Sequence, residues 1–434
     1  MTVLARPSWL LRLLLPPARG DGIARDTAWN AAVNGAAAGL SFFLLLLASR
    51  AAGAYWCGVA ALGLAVSQQL FTLGNFTMGG YQASDVAERR SFGDYVAAKA
   101  VSVCAMLLAG AAWVAWGGLG RDKALCLAAL LAYQASDAFS NAFFARYQQR
   151  GRLDTACRIR FAKIMAFAIV YAAVLAATRS VPASLAAASA AHIALFFATD
   201  VPLLRLFGPL RLRVPGRAAF SILLACLPLA FNSFLLMYVN NGPRFAVDAA
   251  LGEEALAAFS ALFMVSFVVA VCADFLMNPQ VVRLAEAVRA GDRSTALRTL
   301  LRPLAAIGLL GAAGLAVAAT FGAPVLARIF GLDLSPHRDT LCVALGGGVL
   351  VALYQLGQTV LVVLRKQAWG LPGMVVAAAV ARLAARPFVE RLGLRGAALS
   401  YVLAVLILAA ASDSFAALFL RRTAWRSPQP GTEP

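Results

Sequence analysis

Charge is scarce in this chain. Only 13% of its 434 residues are Asp, Glu, Lys or Arg, while 61% are hydrophobic. A soluble protein of this length needs far more polar surface to cover its cores, so a soluble globular enzyme is excluded. Histidine is nearly absent, with only His192 and His337, and the seven cysteines form no CxxC pair. That argues against a conventional zinc or haem site, and neither a metal nor a cofactor is expected. The motifs GxxxxGK[ST], HExxH, GxSxG and DxD are all missing, which argues against a P-loop ATPase, a membrane metalloprotease, a serine hydrolase and a metal-dependent glycosyltransferase. No loop is long enough for the large external segment expected of a polysaccharide polymerase. No catalytic residues are therefore assigned, and an enzyme is the weakest reading.

What is present is apolar sequence in runs of about 20 residues, long enough to cross a bilayer, with a mean hydropathy of +0.77. Twelve membrane helices are predicted, at 26–49, 56–80, 95–117, 123–145, 161–178, 181–204, 218–240, 254–276, 303–326, 339–364, 369–389 and 396–420. The stretch from Trp9 to Leu15 is too short to span and reads as an interfacial segment. The expected organisation is a cytoplasmic segment 1–25, a six-helix bundle 26–217, a second six-helix bundle 218–420, and a cytoplasmic tail 421–434. The net charge of +18 comes from 34 Arg and 4 Lys against 20 acids. In so apolar a chain it signals basic loops held at an anionic membrane surface, not nucleic acid. One set of loops collects 26 Lys and Arg and the other 11, which places both termini in the cytoplasm by the positive-inside rule. The abundance of Arg and Ala fits a GC-rich bacterial genome, hence a bacterial cytoplasmic membrane. A weak internal repeat relates Ala51-Ala52-Gly53 to Ala250-Leu251-Gly252 at an offset of 199 residues, as expected of transporters built from two halves.

Several short motifs stand in a fixed order. Tyr81-Gln82-Ala83-Ser84-Asp85-Val86 is followed by Ser91-Phe92-Gly93-Asp94-Tyr95 and, one turn later, by Lys99. Asn240-Asn241-Gly242-Pro243-Arg244-Phe245 leads to Gly252 and Phe259-Ser260. Phe330-Gly331-Leu332-Asp333-Leu334, Leu364-Arg365-Lys366-Gln367 and Leu392-Gly393-Leu394-Arg395-Gly396 follow. Together, from about residue 25 to 420, they resemble the Wzx-type oligosaccharide flippases of the multidrug/oligosaccharidyl-lipid/polysaccharide (MOP) flippase superfamily. Gly242 and the pair Arg382 and Arg386 depart from that pattern. The resemblance implies an all-α, MATE-like fold of two six-helix bundles. It implies a flippase that moves undecaprenyl-diphosphate-linked oligosaccharide to the external leaflet by alternating access. It also implies a monomer among membrane lipids, with the polymerase and glycosyltransferases of a cell-surface polysaccharide pathway as partners.

Moving a diphosphate and several sugars through hydrocarbon requires a polar, cationic path, because an unpaired charge there costs at least a few kcal/mol, roughly. The candidate cations are Arg50, Arg244 and Arg382 towards the external side, and Lys99 and Lys163 near cytoplasmic ends. Asn30 and Asn34 share a face of the first helix, and Asn232 holds the nearly equivalent place on the seventh. Each has a plainer reading, as an interfacial anchor or an interhelical hydrogen bond. Asp137, Asp274 and Asp413 are intramembrane acids that could bind a coupling ion or neutralise a neighbouring Arg. Asp200 reads as interfacial, and His192 as packed within its helix. A cation-coupled multidrug antiporter of the same superfamily is the alternative transport reading.

Overall fold

A computed structural model of the chain describes residues 22–85, 87–204 and 216–423, with side chains at 22–24, 203–204, 274–276, 278 and 279 excepted. Among the described residues there is no strand, and all twelve predicted helices form. The first is Gly22–Ala52, and the second is Ala54–Asn75 continued by Met78–Ser84. The third is Phe92–Trp116, the fourth Arg121–Gln149 and the fifth Leu153–Thr178. The sixth, Val181–Leu195, passes through a wide turn, Phe196–Asp200, into Val201–Leu204. The seventh is Arg217–Leu251 and the eighth Glu253–Ala290. The ninth, Arg293–Val317, passes through a similar turn, Ala318–Gly322, into Ala323–Phe330. The tenth is Arg338–Val363. The eleventh and twelfth share Leu371–Arg422, where only Gly393 (φ 59°, ψ −139°) leaves the helical region.

Ten stretches among the described residues are long and apolar enough to cross a membrane. One of them, Gln367–Arg422, holds the eleventh and twelfth helices. The fourth helix completes the twelve and is the span that hydropathy alone does not select. The chain is a multi-pass membrane protein.

Several boundaries differ from expectation because polar residues continue a helix: the eighth runs to Ala290 instead of 276, and the ninth begins at Arg293 instead of 303. The fifth helix begins at Leu153 instead of 161, which brings Arg158 and Arg160 into it. The segment Asn241–Glu254, expected as an external loop, is helical apart from Gly252.

The chain divides into two compact units between Met237 and Tyr238, inside the seventh helix. Within the first unit the second helix is the most buried and packs against the first, third and fourth. Its small residues allow this: a Cβ on Gly63 would stand 3.0 Å from Leu130, and one on Gly74 2.6 Å from Met106. Close approach of this kind is what holds helices together in lipid, where burial of apolar surface gives no drive. In the second unit the tenth helix is central, touching the eighth, the ninth and the long final helix pair. Gly348 lets it approach the eighth, since a Cβ there would lie 2.9 Å from the Ser266 Cα.

The internal repeat has a shared turn. Gly53 (φ 91°, ψ −179°) and Gly252 (φ 83°, ψ −172°) occupy a region that only glycine adopts readily, and each starts the next helix. In both, the glycine amide donates to the carbonyl four residues back, Ser49 or Asp248, at 3.1 Å. Both glycines face open space, so the conformation and not crowding demands them.

A second device also recurs. The wide turns Phe196–Asp200 and Ala318–Gly322 each end two residues before a proline, Pro202 and Pro324. Proline lacks an amide and clashes with the carbonyl four residues back, and widening the preceding turn accommodates both effects.

Replacing Gly53 or Gly252 by Ala should destabilise the protein by about 1–3 kcal/mol each, from the torsion alone. Thermal unfolding in detergent measures it, with Gly308→Ala, at an open helical glycine, as a control expected to be neutral or stabilising.

Candidate functional site

The first unit buries a set of charges among its fourth, fifth and sixth helices. On the fourth, Ser136, Asp137, Ser140 and Asn141 share one face through their i, i+1, i+4, i+5 spacing. The fifth presents Arg160 and Lys163 to that face, three residues apart and so on one side. Arg160 pairs with Asp137 at 3.3 Å. Lys163 Nζ donates to Asp200 Oδ2 at 2.8 Å and to Ser140 Oγ at 2.7 Å. Asp200 is the last residue of the wide turn in the sixth helix. His192, on the same helix, lies 3.0 Å from Ser136 Oγ and edge-on to Tyr133.

The exposures decide how these charges are read. Lys163 and Asp200 are each 2% exposed and Asp137 is 7% exposed. The buried acids and bases neutralise one another in two pairs, leaving Asp137 and Asp200 engaged. A small cavity lies among Asp137, Ser140, Asn141, Arg160, Lys163 and Asp200. Two buried polar atoms on its walls, Asn141 Oδ1 and Arg160 Nε, have no partner among the described residues. Sequence reasoning named Asp137 and Lys163 but paired neither. It counted Arg160 among the basic loop residues and read Asp200 as interfacial; the structure sets Arg160 within the fifth helix and buries Asp200 against Lys163. The signal was present as two bases three residues apart facing two intramembrane acids.

In the second unit the candidate is Arg244. It is 7% exposed, with Nη1 donating to Asn241 Oδ1 at 3.0 Å. Its guanidinium lies over two rings, 5.1 Å from the centre of Phe263 and 5.6 Å from that of Phe267. Nε is buried without an acceptor, and no carboxylate among the described residues pairs with Arg244. Tyr401 packs on Phe263 and reaches Asn240 Oδ1 at 3.5 Å. Here a cation is held by aromatic faces and one amide, with most of its five donors unspent.

The other expected residues are placed differently. Arg50 and Arg382 are exposed, Arg50 in the last turn of its helix, where a cation suits the carbonyl end. Arg386 pairs with Glu390 at 2.7 Å. Asn30 and Asn34 are exposed and hydrogen-bond each other at 3.3 Å, and Asn232 is half-buried. Asp413 is half-buried beside Ser412, and Gly357 on the tenth helix lets that helix pass close to it. The Asp274 side chain lies outside those described. Lys99, expected to meet a head group, is 1% exposed and donates to the Asn75 carbonyl at 2.6 Å.

The motif between the second and third helices proves to be largely self-contained. Gln82 donates to the Ala142 carbonyl at 2.9 Å, and Asp85 accepts from the amides of Arg89 and Arg90 and from the Tyr95 hydroxyl at 3.0–3.1 Å. Ser91 and Asp94 form a reciprocal cap on the third helix. Glu88 meets Arg146 and Arg150 of the fourth helix at 3.1 and 2.9 Å. These residues build the loop. Burial of Asp85 opposes its charged form, but the two amides and the Tyr95 hydroxyl outweigh it and hold its carboxyl below the usual range.

No protein-family model matches the chain, and no curated protein does. Solved structures match it closely in fold. An inward-facing multidrug resistance MATE family transporter of the MOP superfamily aligns with 95% of this chain and 98% of its own, at a TM-score of 0.66 and 14% identity. The lipid II flippase MurJ, in an inward closed conformation, aligns with 91% and 92%, at 0.62 and 12%. A MOP superfamily transporter from Pyrococcus furiosus aligns with 96% and 99%, at 0.60 and 15%. The chain therefore has the all-α, MATE-like fold of about twelve helices.

Two outcomes follow from the site. Lys163→Met or Asp200→Asn alone should cost about 3–5 kcal/mol by stranding a buried charge or polar group, whereas Lys163→Met with Asp200→Leu should recover most of it. Thermal unfolding of the three variants measures this, and equal losses in all three would refute the pairing. The Asp85 anchor stabilises its loop above the ordinary Asp value of about 4 and is lost as pH falls through the lowered native value. Hydrogen exchange at the Arg89 and Arg90 amides, corrected for intrinsic pH dependence, should be faster in Asp85→Asn at neutral pH. That difference should vanish in strong acid.

Proposed function

We propose that this protein is a MOP-superfamily flippase of the Wzx type. It carries an undecaprenyl-diphosphate-linked oligosaccharide from the cytoplasmic to the external leaflet of a bacterial cytoplasmic membrane by alternating access. The carrying observation is Arg244, a permanently charged guanidinium buried in an apolar span and paired with no carboxylate among the described residues. Such a cation is expensive to retain unless an anion visits it, and a diphosphate offers oxygens that match its fork. The ordered motifs and a fold shared with a lipid II flippase support the reading.

In this reading Arg244 receives the diphosphate, and Arg50 and Arg382 assist near the external mouth. Asn30, Asn34 and Asn232 supply hydrogen bonds to sugars, and Asp413 and Asp274 are the acids left for ion coupling. The domains are the two bundles 26–217 and 218–420, with both termini cytoplasmic. The polymerase and glycosyltransferases of the same pathway are the partners. The rival reading, a cation-coupled drug antiporter, would have to hold its cation at Asp413 or Asp274. Asp137 and Asp200 are already held by Arg160 and Lys163.

Cells lacking this protein should accumulate labelled lipid-linked oligosaccharide on the cytoplasmic leaflet. Arg244→Ala should slow flipping by about 10- to 100-fold, the worth of a charge-assisted hydrogen bond or two, at unchanged expression. Arg244→Lys should recover part of the rate, and Arg89→Ala should change it little. Normal export by the deletion strain, with no other flippase present, overturns the assignment.

A further inference from the structure

The second helix is interrupted without a proline, within the glycine-rich stretch Gly74-Asn75-Phe76-Thr77-Met78-Gly79-Gly80. No proline lies between Ala54 and Ser84, yet Phe76 and Thr77 both take left-handed backbone conformations, at φ 50° and 51°. A bulky aromatic and a β-branched residue are poor occupants of that region. The interruption frees the carbonyls of Gly74 and Asn75, which in a continuous helix would accept from the amides of Met78 and Gly79. Lys99 and Ser102 of the third helix take them instead. Lys99 Nζ stands 2.6 Å from the Asn75 carbonyl and 3.5 Å from that of Gly74, and Ser102 Oγ donates to the Gly74 carbonyl at 2.8 Å. No carboxylate among the described residues pairs with this buried ammonium. On the far side of the break no side chain caps the start of Met78–Ser84.

We propose that Phe76–Thr77 is a hinge and Lys99 its latch. The second helix has two states that compete for the same two oxygens. In the broken state the carbonyls of Gly74 and Asn75 belong to Lys99 and Ser102, at the expense of two strained residues and an uncapped helix start. In the continuous state the amides of Met78 and Gly79 take them, the strain is relieved, and the ammonium is left to find another partner. Opposing terms on both sides make a pair of states that a small bias can reverse.

The position gives the hinge a use. Phe76 lies about 33 Å along the helix axis from Ala54, at 1.5 Å per residue, close to one boundary of the hydrocarbon. The segment beyond it, Met78–Ser84, leads directly into the Asp85 loop and is tied to the fourth helix by Gln82. Gly79 lies so close to Asn141 that a Cβ would stand 2.6 Å from its Oδ1. Thr77 Oγ1 is 3.2 Å from Ser233 Oγ on the seventh helix. Straightening the second helix re-aims the Asp85 loop and breaks or shifts these three contacts. Lys99 is thus a positioning residue, and the device does not depend on which cargo the protein carries.

Hydrogen exchange of the protein in lipid nanodiscs, read on peptides covering Met78 to Tyr81, tests the hinge. Phe76→Gly with Thr77→Gly relaxes the left-handed pair and favours the broken state, so the Met78 and Gly79 amides should exchange at least about fivefold faster. Lys99→Met removes the latch and favours the continuous helix, so the same amides should exchange about tenfold more slowly. Lys99→Arg keeps the donors and should stay near wild type, which a packing role for the lysine stem would not distinguish from Met. The proposal is overturned if both changes shift exchange in one direction or if neither shifts it. Should Lys99→Met not be recovered folded, unchanged exchange in the double glycine variant alone overturns it. These readouts involve no transport, so they stand or fall apart from the flippase assignment.

Discussion

Inside a bilayer no water is available to satisfy a polar group, so the chain must find every partner within itself. Most features of this protein are answers to that demand. The Asp137–Arg160 and Lys163–Asp200 pairs answer it with opposite charge. Lys99 answers it with backbone carbonyls, exploiting the negative end of an interrupted helix. Arg244 answers it incompletely, with one amide and two aromatic faces. The three arrangements form a series from fully matched to open, and the open end of the series is where an external anion has most to offer.

Backbone irregularities serve the same end. The wide turn before Pro202 inserts extra length into the sixth helix and presents Asp200 to Lys163. The equivalent turn before Pro324 has no charge to present, so the geometry stems from the proline and the sixth helix has put it to use. Gly53 and Gly252 turn the chain within a single residue, without an intervening loop.

How much of this could be read from the residues differs by feature. Helices were legible because apolar runs of about 20 residues have one stable form in lipid, and even the eleventh, with Arg382 and Arg386 inside it, forms as expected. Boundaries at polar flanks were not, since Arg160 and Asn241 look like loop residues until a tertiary partner is known. Asp137 and Lys163 were legible as intramembrane charges, but pairing them required knowing that the sixth helix widens at Asp200. The loop motif was legible as a pattern, and its local role was not. Its polar residues are spent on holding Asp85, Ser91 and Asp94 in place. Lys99 could not be assigned from sequence, because its partners are main-chain atoms exposed by a break in a neighbouring helix.

The fourth helix carries one more implication, for the order in which the protein is made. It is the span that does not qualify as a membrane segment by hydropathy, and its least apolar face, through Ser136, Asp137, Ser140 and Asn141, meets its partners on the fifth and sixth helices. Those helices are synthesised after it. As the fourth emerges from the ribosome, therefore, Asp137 has no base to meet, and the helix is a poor candidate for release into lipid by itself. Its charge is matched only when the fifth helix brings Arg160 beside it.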